Sequence, residues 1–248
     1  MHGRVTLSLL AVALSLVAAA PAAAAPTATL SITTTLLDQP AGRSWAIGLG
    51  TAVTIANPDG SQPPPLKRFQ VRFPAGAKTN FSAFPACSPK RLAARRAPDG
   101  CPAGSHIGTG TSLVSAKPIF AAPIVAKVDV FNGPPKGAGR TLLFLARTTT
   151  PVNQQLVFTG SLQRTTGRFG YVLTVNVPRI PTLTGQPDAS VVAFDTTVQA
   201  RRGRISYLEA PTRCPAAGLP FQGAFSFADG STATAAAHLS CTLKSTPG

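Results

Sequence analysis

Residues 156–177, LVFTGSLQRTTGRFGYVLTVNV, hold two alternating runs around a short turn. Leu156, Phe158, Gly160 and Leu162 lead into Thr165-Thr166-Gly167-Arg168, and Phe169, Tyr171, Leu173, Val175 and Val177 lead out. Successive side chains of a strand point to opposite faces, so a period of two puts the apolar members of each run on one side of a sheet. A polar connection containing glycine between two such runs predicts a β-hairpin.

The same grammar extends in both directions. Downstream, Val192, Phe194, Thr196 and Val198 run into Arg201-Arg202-Gly203-Arg204, followed by Ile205 and Tyr207, a second predicted hairpin. Phe221, Gly223, Phe225 and Phe227 join the segment from Thr232 to Thr242 through Asp229-Gly230, the strongest turn dipeptide of the chain. Upstream, Trp45, Ile47, Leu49, Val53 and Ile55 oppose Ala46, Gly48, Gly50, Ala52 and Thr54, while Phe69, Val71 and Phe73 alternate with Arg68, Gln70 and Arg72. Ile124, Ala126, Val128 and Val130 face away from Lys127 and Asp129. The unbroken apolar run Leu142 to Leu145 suits a strand covered on both sides. About a dozen strands result, which predicts an all-β fold, a two-sheet antiparallel β-sandwich. Only Ser88 to Arg96 reads as helix, with serine as N-cap, Pro89 at the first helical position, basic residues in the last turn and Pro98 beyond.

The first residues give a location. Met1 to Arg4 are a short basic start, Val5 to Ala20 an apolar run, and Pro21 to Ala25 an alanine-rich end, the layout of a secretory signal peptide. Proline after the cut obstructs cleavage at Ala20 or Ala25, so Ala22-x-Ala24 supplies the small pair, residues 1–24 form the leader and the mature chain starts at Ala25. The apolar run is shorter than the ~20 residues of a membrane-spanning helix. Residues 25–248 are expected to form a single β-rich extracellular domain, with an internal boundary conceivable only near residues 57–65, NPDGSQPPP, which reads as a surface loop.

Export gives the four cysteines, Cys87, Cys101, Cys214 and Cys241, a structural meaning. Of three connectivities, Cys87 with Cys101 and Cys214 with Cys241 is favoured, because each pair brackets a local segment with its own turn signals. Zinc needs close cysteine pairs or cysteine beside histidine, whereas each cysteine here stands alone and only His106 and His238 remain in the mature chain. No metal or other cofactor is expected. The formal charge is +15, or +14 once Arg4 leaves with the leader. Such a charge attracts anionic envelope polymers or a membrane surface, with no specific nucleic acid implied. Two clusters would carry it: Arg91, Arg95 and Arg96 beside Lys90 on the helix, and Arg201, Arg202 and Arg204 on the hairpin, whose guanidinium groups suit forked pairing with phosphate or carboxylate.

Chemistry has few candidates. Asp59, Asp99 and Asp229 each precede glycine in a turn, Asp38 and Asp188 lie in loops, and Asp129 and Asp195 fall on strand faces expected to be solvated. Glu209, the sole glutamate, ends a strand before Ala210-Pro211 and is the one candidate site carboxylate, short of the pair that a glycosidase uses. Ser105 and His106 are adjacent, so in a strand they face opposite ways and cannot act as nucleophile and base. Trp45 and Tyr171 share apolar rows, which leaves few rings for stacking on sugar or base.

FPAGAKTNFSAFPACSPKRL, CPAGSHIGTGT, VDVFNGPP, YLEAPTRCP and FSFADGST resemble secreted actinobacterial proteins of uncharacterised function that share this cysteine-proline layout. The resemblance covers most of the chain from Phe69 to Cys241 and implies secretion, disulfides and a β-rich fold. It carries no activity and no functional residue. The expectation from sequence is a secreted, non-enzymatic protein with structural or adhesive duty at the cell envelope. The alternative is a module binding an anionic envelope polymer or membrane surface, and the third reading is an extracellular hydrolase.

Overall fold

The computed structural model describes residues 25–38, 45–95, 98–211 and 214–240. The expected leader, Arg96 and Cys241 lie outside the described residues, as does the side chain of Arg95. The strands are β1 (Thr27–Asp38), β2 (Ala46–Ala56), β3 (Leu66–Pro74), β4 (Lys78–Thr79), β5 (His106–Ser115), β6 (Ile124–Lys136), β7 (Gly139–Thr148), β8 (Gln154–Arg164), β9 (Phe169–Asn176), β10 (Ser190–Val198), β11 (Arg201–Arg202), β12 (Ile205–Ser206), β13 (Leu208–Glu209), β14 (Leu219–Phe227) and β15 (Thr232–Leu239). One short α-helix, α1 (Pro89–Arg95), interrupts them between β4 and β5. The fold is all-β and antiparallel throughout its ladders.

The two layers are halves of one hydrogen-bonded sheet. Its order is β15-β14-β3-β9-β8-β7-β6-β5-β10-β2-β13-β4, with β1 on the other side of β2, and β11 and β12 form a separate ribbon. Every long strand carries apolar side chains on one face, and a sheet this wide can bury that face only by folding over onto itself. The rings of Phe69 on β3 and Phe194 on β10 consequently meet with centroids 4.8 Å apart, although five strands lie between them in the sheet. The margins β1 and β15 come alongside each other. Val53, Ile55, Val71, Val130, Val175, Phe225 and Phe227 pack in the enclosed core.

The hairpin of residues 156–177 is β8–β9, with Gly167 in the left-handed region at φ 87° where its turn requires it. The β14–β15 hairpin turns at Asp229, whose Oδ1 accepts bonds from the Ser231 amide at 2.9 Å and hydroxyl at 2.6 Å. The second expected hairpin takes another form. β10 pairs with β2 and β5, while Arg201–Arg202 and Ile205–Ser206 make only a two-residue ribbon beyond its end, because both edges of β10 are already occupied. A bulge between Val191 and Ala193 also shifts the row, so Val191 rather than Val192 joins the core.

The helix begins as its residues imply: Ser88 Oγ accepts the Arg91 amide at 3.1 Å. It lies over the outer face of the sheet, where Leu92, Cys87 and Cys101 bury Phe131, Leu143 and Leu145 in a second core. That cover explains the unbroken run Leu142 to Leu145, each of which is buried. The Cys87–Cys101 disulfide closes the segment, with Cα atoms 5.2 Å apart. Cys214 is disulfide-bonded as well, and the other half of that bridge lies outside the described residues. The loop at residues 57–65 joins β2 to β3 of the same sheet. Gln62 Oε1 accepts bonds there from Ser115 Oγ at 2.8 Å and the Lys117 amide at 2.9 Å.

Two substitutions test this architecture. Replacing Cys87 and Cys101 by serine opens a loop spanning 14 positions, and urea denaturation is expected to show a loss of roughly 3 kcal/mol. A Cβ on Gly110 would stand 2.0 Å from the Asp195 carbonyl oxygen on the paired strand. Gly110→Ala is therefore expected to lower stability by about 1–3 kcal/mol in thermal unfolding, and an unchanged midpoint would refute the close approach.

Candidate functional site

The end of the folded sheet where β4 and β13 add to β2 is built around one asparagine. Asn132, fully buried on β6, donates through Nδ2 to the carbonyls of Phe81, Phe84 and Pro85 at 3.3, 3.0 and 3.1 Å, and accepts the Tyr207 hydroxyl at 3.0 Å. Its backbone pairs with Cys87 N and Ser105 O, each at 2.8 Å. One side chain thus ties the Phe81–Pro85 segment, β6 and the chain before β13 together. Phe81 and Phe84 pack edge-on against Tyr207, at 5.8 and 5.1 Å between centroids. Burial raises the Tyr207 pKa well above the ordinary tyrosine range, and the nearby Arg140 cation offsets only part of that.

Beside this node, Asn80 Nδ2 donates to Glu209 Oε1 at 2.8 Å and to the Ser206 carbonyl at 2.7 Å. Glu209 is half-buried and stands opposite Lys78 in the β13–β4 ladder. Thr79 Oγ1 donates to the Tyr171 hydroxyl at 3.3 Å. Lys78, Thr79, Tyr171 and Glu209 rim a cavity of about 190 Å³ inside the folded sheet. Its walls are the inward rows of nearly all the long strands, Val71, Phe73, Phe144 and Phe194 among them, broken by the hydroxyls of Thr51, Ser112 and Thr196. Among the described residues Lys78 is the one exposed member of the lining, so the cavity meets solvent at the β4–β13 end. Glu209 is the one carboxylate that lines it.

The expected cation clusters are placed differently from one another. Arg91 is exposed on α1. Arg201 donates to Asp38 Oδ2 and to the Leu37 carbonyl, both at 3.1 Å, and Arg202 donates to the Ala83 carbonyl at 2.8 Å, so these two fasten the ribbon to its own fold. Arg204 is exposed at the ribbon. Asp129 departs from its expected solvation. It is buried, accepting Arg147 Nη2 at 2.6 Å and lying 3.0 Å from His106 Nε2. His106 and Arg147 from the neighbouring strands close over it on the outer face of β6, and these two basic partners compensate it. Asp195, by contrast, is exposed and accepts the Thr111 hydroxyl. Ser105 donates to the Pro102 carbonyl at 2.7 Å and is committed to that turn.

Comparison with protein-family models, with curated proteins and with solved structures finds no match for this chain.

Removing the Asn132 amide strands the Tyr207 hydroxyl and several carbonyls in a buried place. Asn132→Leu is expected to cost about 3 kcal/mol or more and Tyr207→Phe about 1–2 kcal/mol in urea denaturation. The raised Tyr207 pKa has a defined sign. The fold prefers the neutral phenol, so its contribution is complete below the unfolded value of 10.0 and falls as pH rises beyond it. Phenolate absorbance from Tyr207 should therefore appear only with unfolding, and its titration in the native protein near the unfolded value would contradict the burial.

Proposed function

We propose that this protein is an extracellular, non-enzymatic binding protein of the cell envelope that holds an apolar molecule inside its folded sheet. The leader-like start, the disulfides and the resemblance of the cysteine-proline segments support the extracellular and envelope setting. Among the described residues no helix is long and apolar enough to cross a membrane.

The observation that carries the binding reading is the cavity of about 190 Å³. Left unfilled, such a volume would cost about 4–5 kcal/mol at ~24 cal/mol per Å³, a large part of the 5–15 kcal/mol that ordinarily holds a domain together. An apolar occupant recovers contacts that the walls otherwise forgo. A cavity of ~150 Å³ lined by comparable side chains takes up benzene. Binding also fits the lining better than hydrolysis, since Glu209 is its one acid and already accepts a bond from Asn80. The anionic-polymer reading retains Arg91 and Arg204, while Arg201 and Arg202 serve the fold.

Benzene titrated into the exported protein is expected to raise the thermal midpoint with concentration, as any ligand of the native state does, and to shift methyl resonances of Val71 and Val130. A midpoint and spectrum unmoved at saturating benzene would sink the reading.

A further inference from the structure

The lining of the cavity sets the shape of what fills it. On β3 it runs from Leu66 to Pro74, on β5 from Ile107 to Val114, and from Tyr171 on β9 to Val177 just beyond that strand. At ~3.3 Å per residue, and with strands inclined to the long axis, those spans make a lumen roughly 20 Å long. Because the lining extends along the strands while the volume is only about 190 Å³, the space is narrow and elongated rather than round. A fused polycyclic ring system or a pair of acyl tails needs the greater room of the ~300–1,000 Å³ sites that ordinary ligands occupy, whereas a single small ring or a single chain does not.

The two ends of the bore differ. At one end the lining is wholly apolar, with Ala126, Ala146, Leu156, Val177 and Ile180. At the other, exposed Lys78 and half-buried Glu209 face each other across the β4–β13 ladder, with Thr79 and Ala210 beside them. A cation and a carboxylate in cross-strand register nearly cancel at a distance but leave donor and acceptor groups at close range. That rim suits a neutral head that both donates and accepts hydrogen bonds, as a hydroxyl or a glyceryl ester does, better than a fully charged one.

Resting on the binding reading above, we propose that the ligand is a single-chain aliphatic amphiphile, its tail threaded along the lumen and its neutral polar head held at the Lys78–Glu209 rim. The chain then reaches full burial only when its length matches the bore. Ala146 lies at the apolar end, away from the rim, so a larger side chain there shortens the bore without touching the rim. Trp45, the one tryptophan of the chain, accepts the Ala210 amide through its carbonyl at 2.9 Å, one hydrogen bond from a residue of the rim, and serves as the fluorescent reporter.

The test titrates linear alcohols of increasing length, each below its micelle concentration, into the exported protein, following Trp45 fluorescence and the thermal midpoint. Affinity is expected to rise roughly three- to fourfold per added methylene and then level off where the chain fills the bore. In Ala146→Phe the levelling-off should move to shorter chains while short alcohols bind as before. Matched carboxylates should bind more weakly than alcohols, and Glu209→Gln should narrow that difference. Affinity independent of chain length, or carboxylates bound as tightly as alcohols, overturns the proposal, and the wild-type series decides it even where a variant fails to fold. Benzene binding without any chain binding would overturn it too and leave the lumen reading standing, whereas failure of both ligands removes both.

Discussion

Water cannot be kept from one face of a sheet this wide unless the sheet supplies its own cover. Eleven of its strands are eight residues or longer, and the alternation along each of them loads one face with valine, leucine, isoleucine and phenylalanine. Folding over sets β3 against β10 and brings β1 alongside β15, and the core that results is continuous from one layer to the other. The hydrogen-bonded order stays unbroken through this, so no second sheet has to be assembled from separate pieces. The cavity follows from the same constraint. Side chains from the two layers meet across the core, but the inward rows carry alanine, serine and threonine as well as phenylalanine, and these leave space along the middle.

The β4–β13 end of the sheet is braced by a segment with little regular structure of its own. Between β4 and β5 the chain makes a 3-10 turn at Phe81–Ala83, passes Cys87, forms α1 and returns through Cys101. Its carbonyls would be an expense in a dry place, and Asn132 receives three of them while its own oxygen takes up the Tyr207 hydroxyl. Arg202 adds a bond to Ala83, and the disulfide with Leu92 seals the outer face over Phe131, Leu143 and Leu145. The polar rim and the apolar lumen are therefore adjacent because a single node holds both the cap and the strand ends in place.

Much of the architecture could be read from the residues. The turns at Gly167 and at Asp229-Gly230, the serine-capped helix, the doubly covered run Leu142 to Leu145 and the local Cys87–Cys101 bridge each follow from short-range rules about φ, capping and side-chain period. The Arg201–Arg204 segment departs from the expected hairpin because a turn signal says nothing about neighbours, and both edges of β10 are taken by β2 and β5. Asp129 departs from its expected solvation for a related reason: alternation places it on the outer face, but His106 and Arg147 from the neighbouring strands close over it there. Val191 and Val192 exchanged places through a bulge that no local pattern announces.

Composition and periodicity alone determined that this chain makes antiparallel strands, one short helix and cystine cross-links, since those outcomes depend on residues close together in sequence. Tertiary structure decided that the strands join into one folded-over sheet, that Asn132 becomes its polar anchor, and that Lys78, Thr79 and Glu209 gather at the opening of an apolar bore. A cavity is a difference between the volume that two layers enclose and the volume their side chains fill, so it belongs to all the strands together and is written in none of them singly.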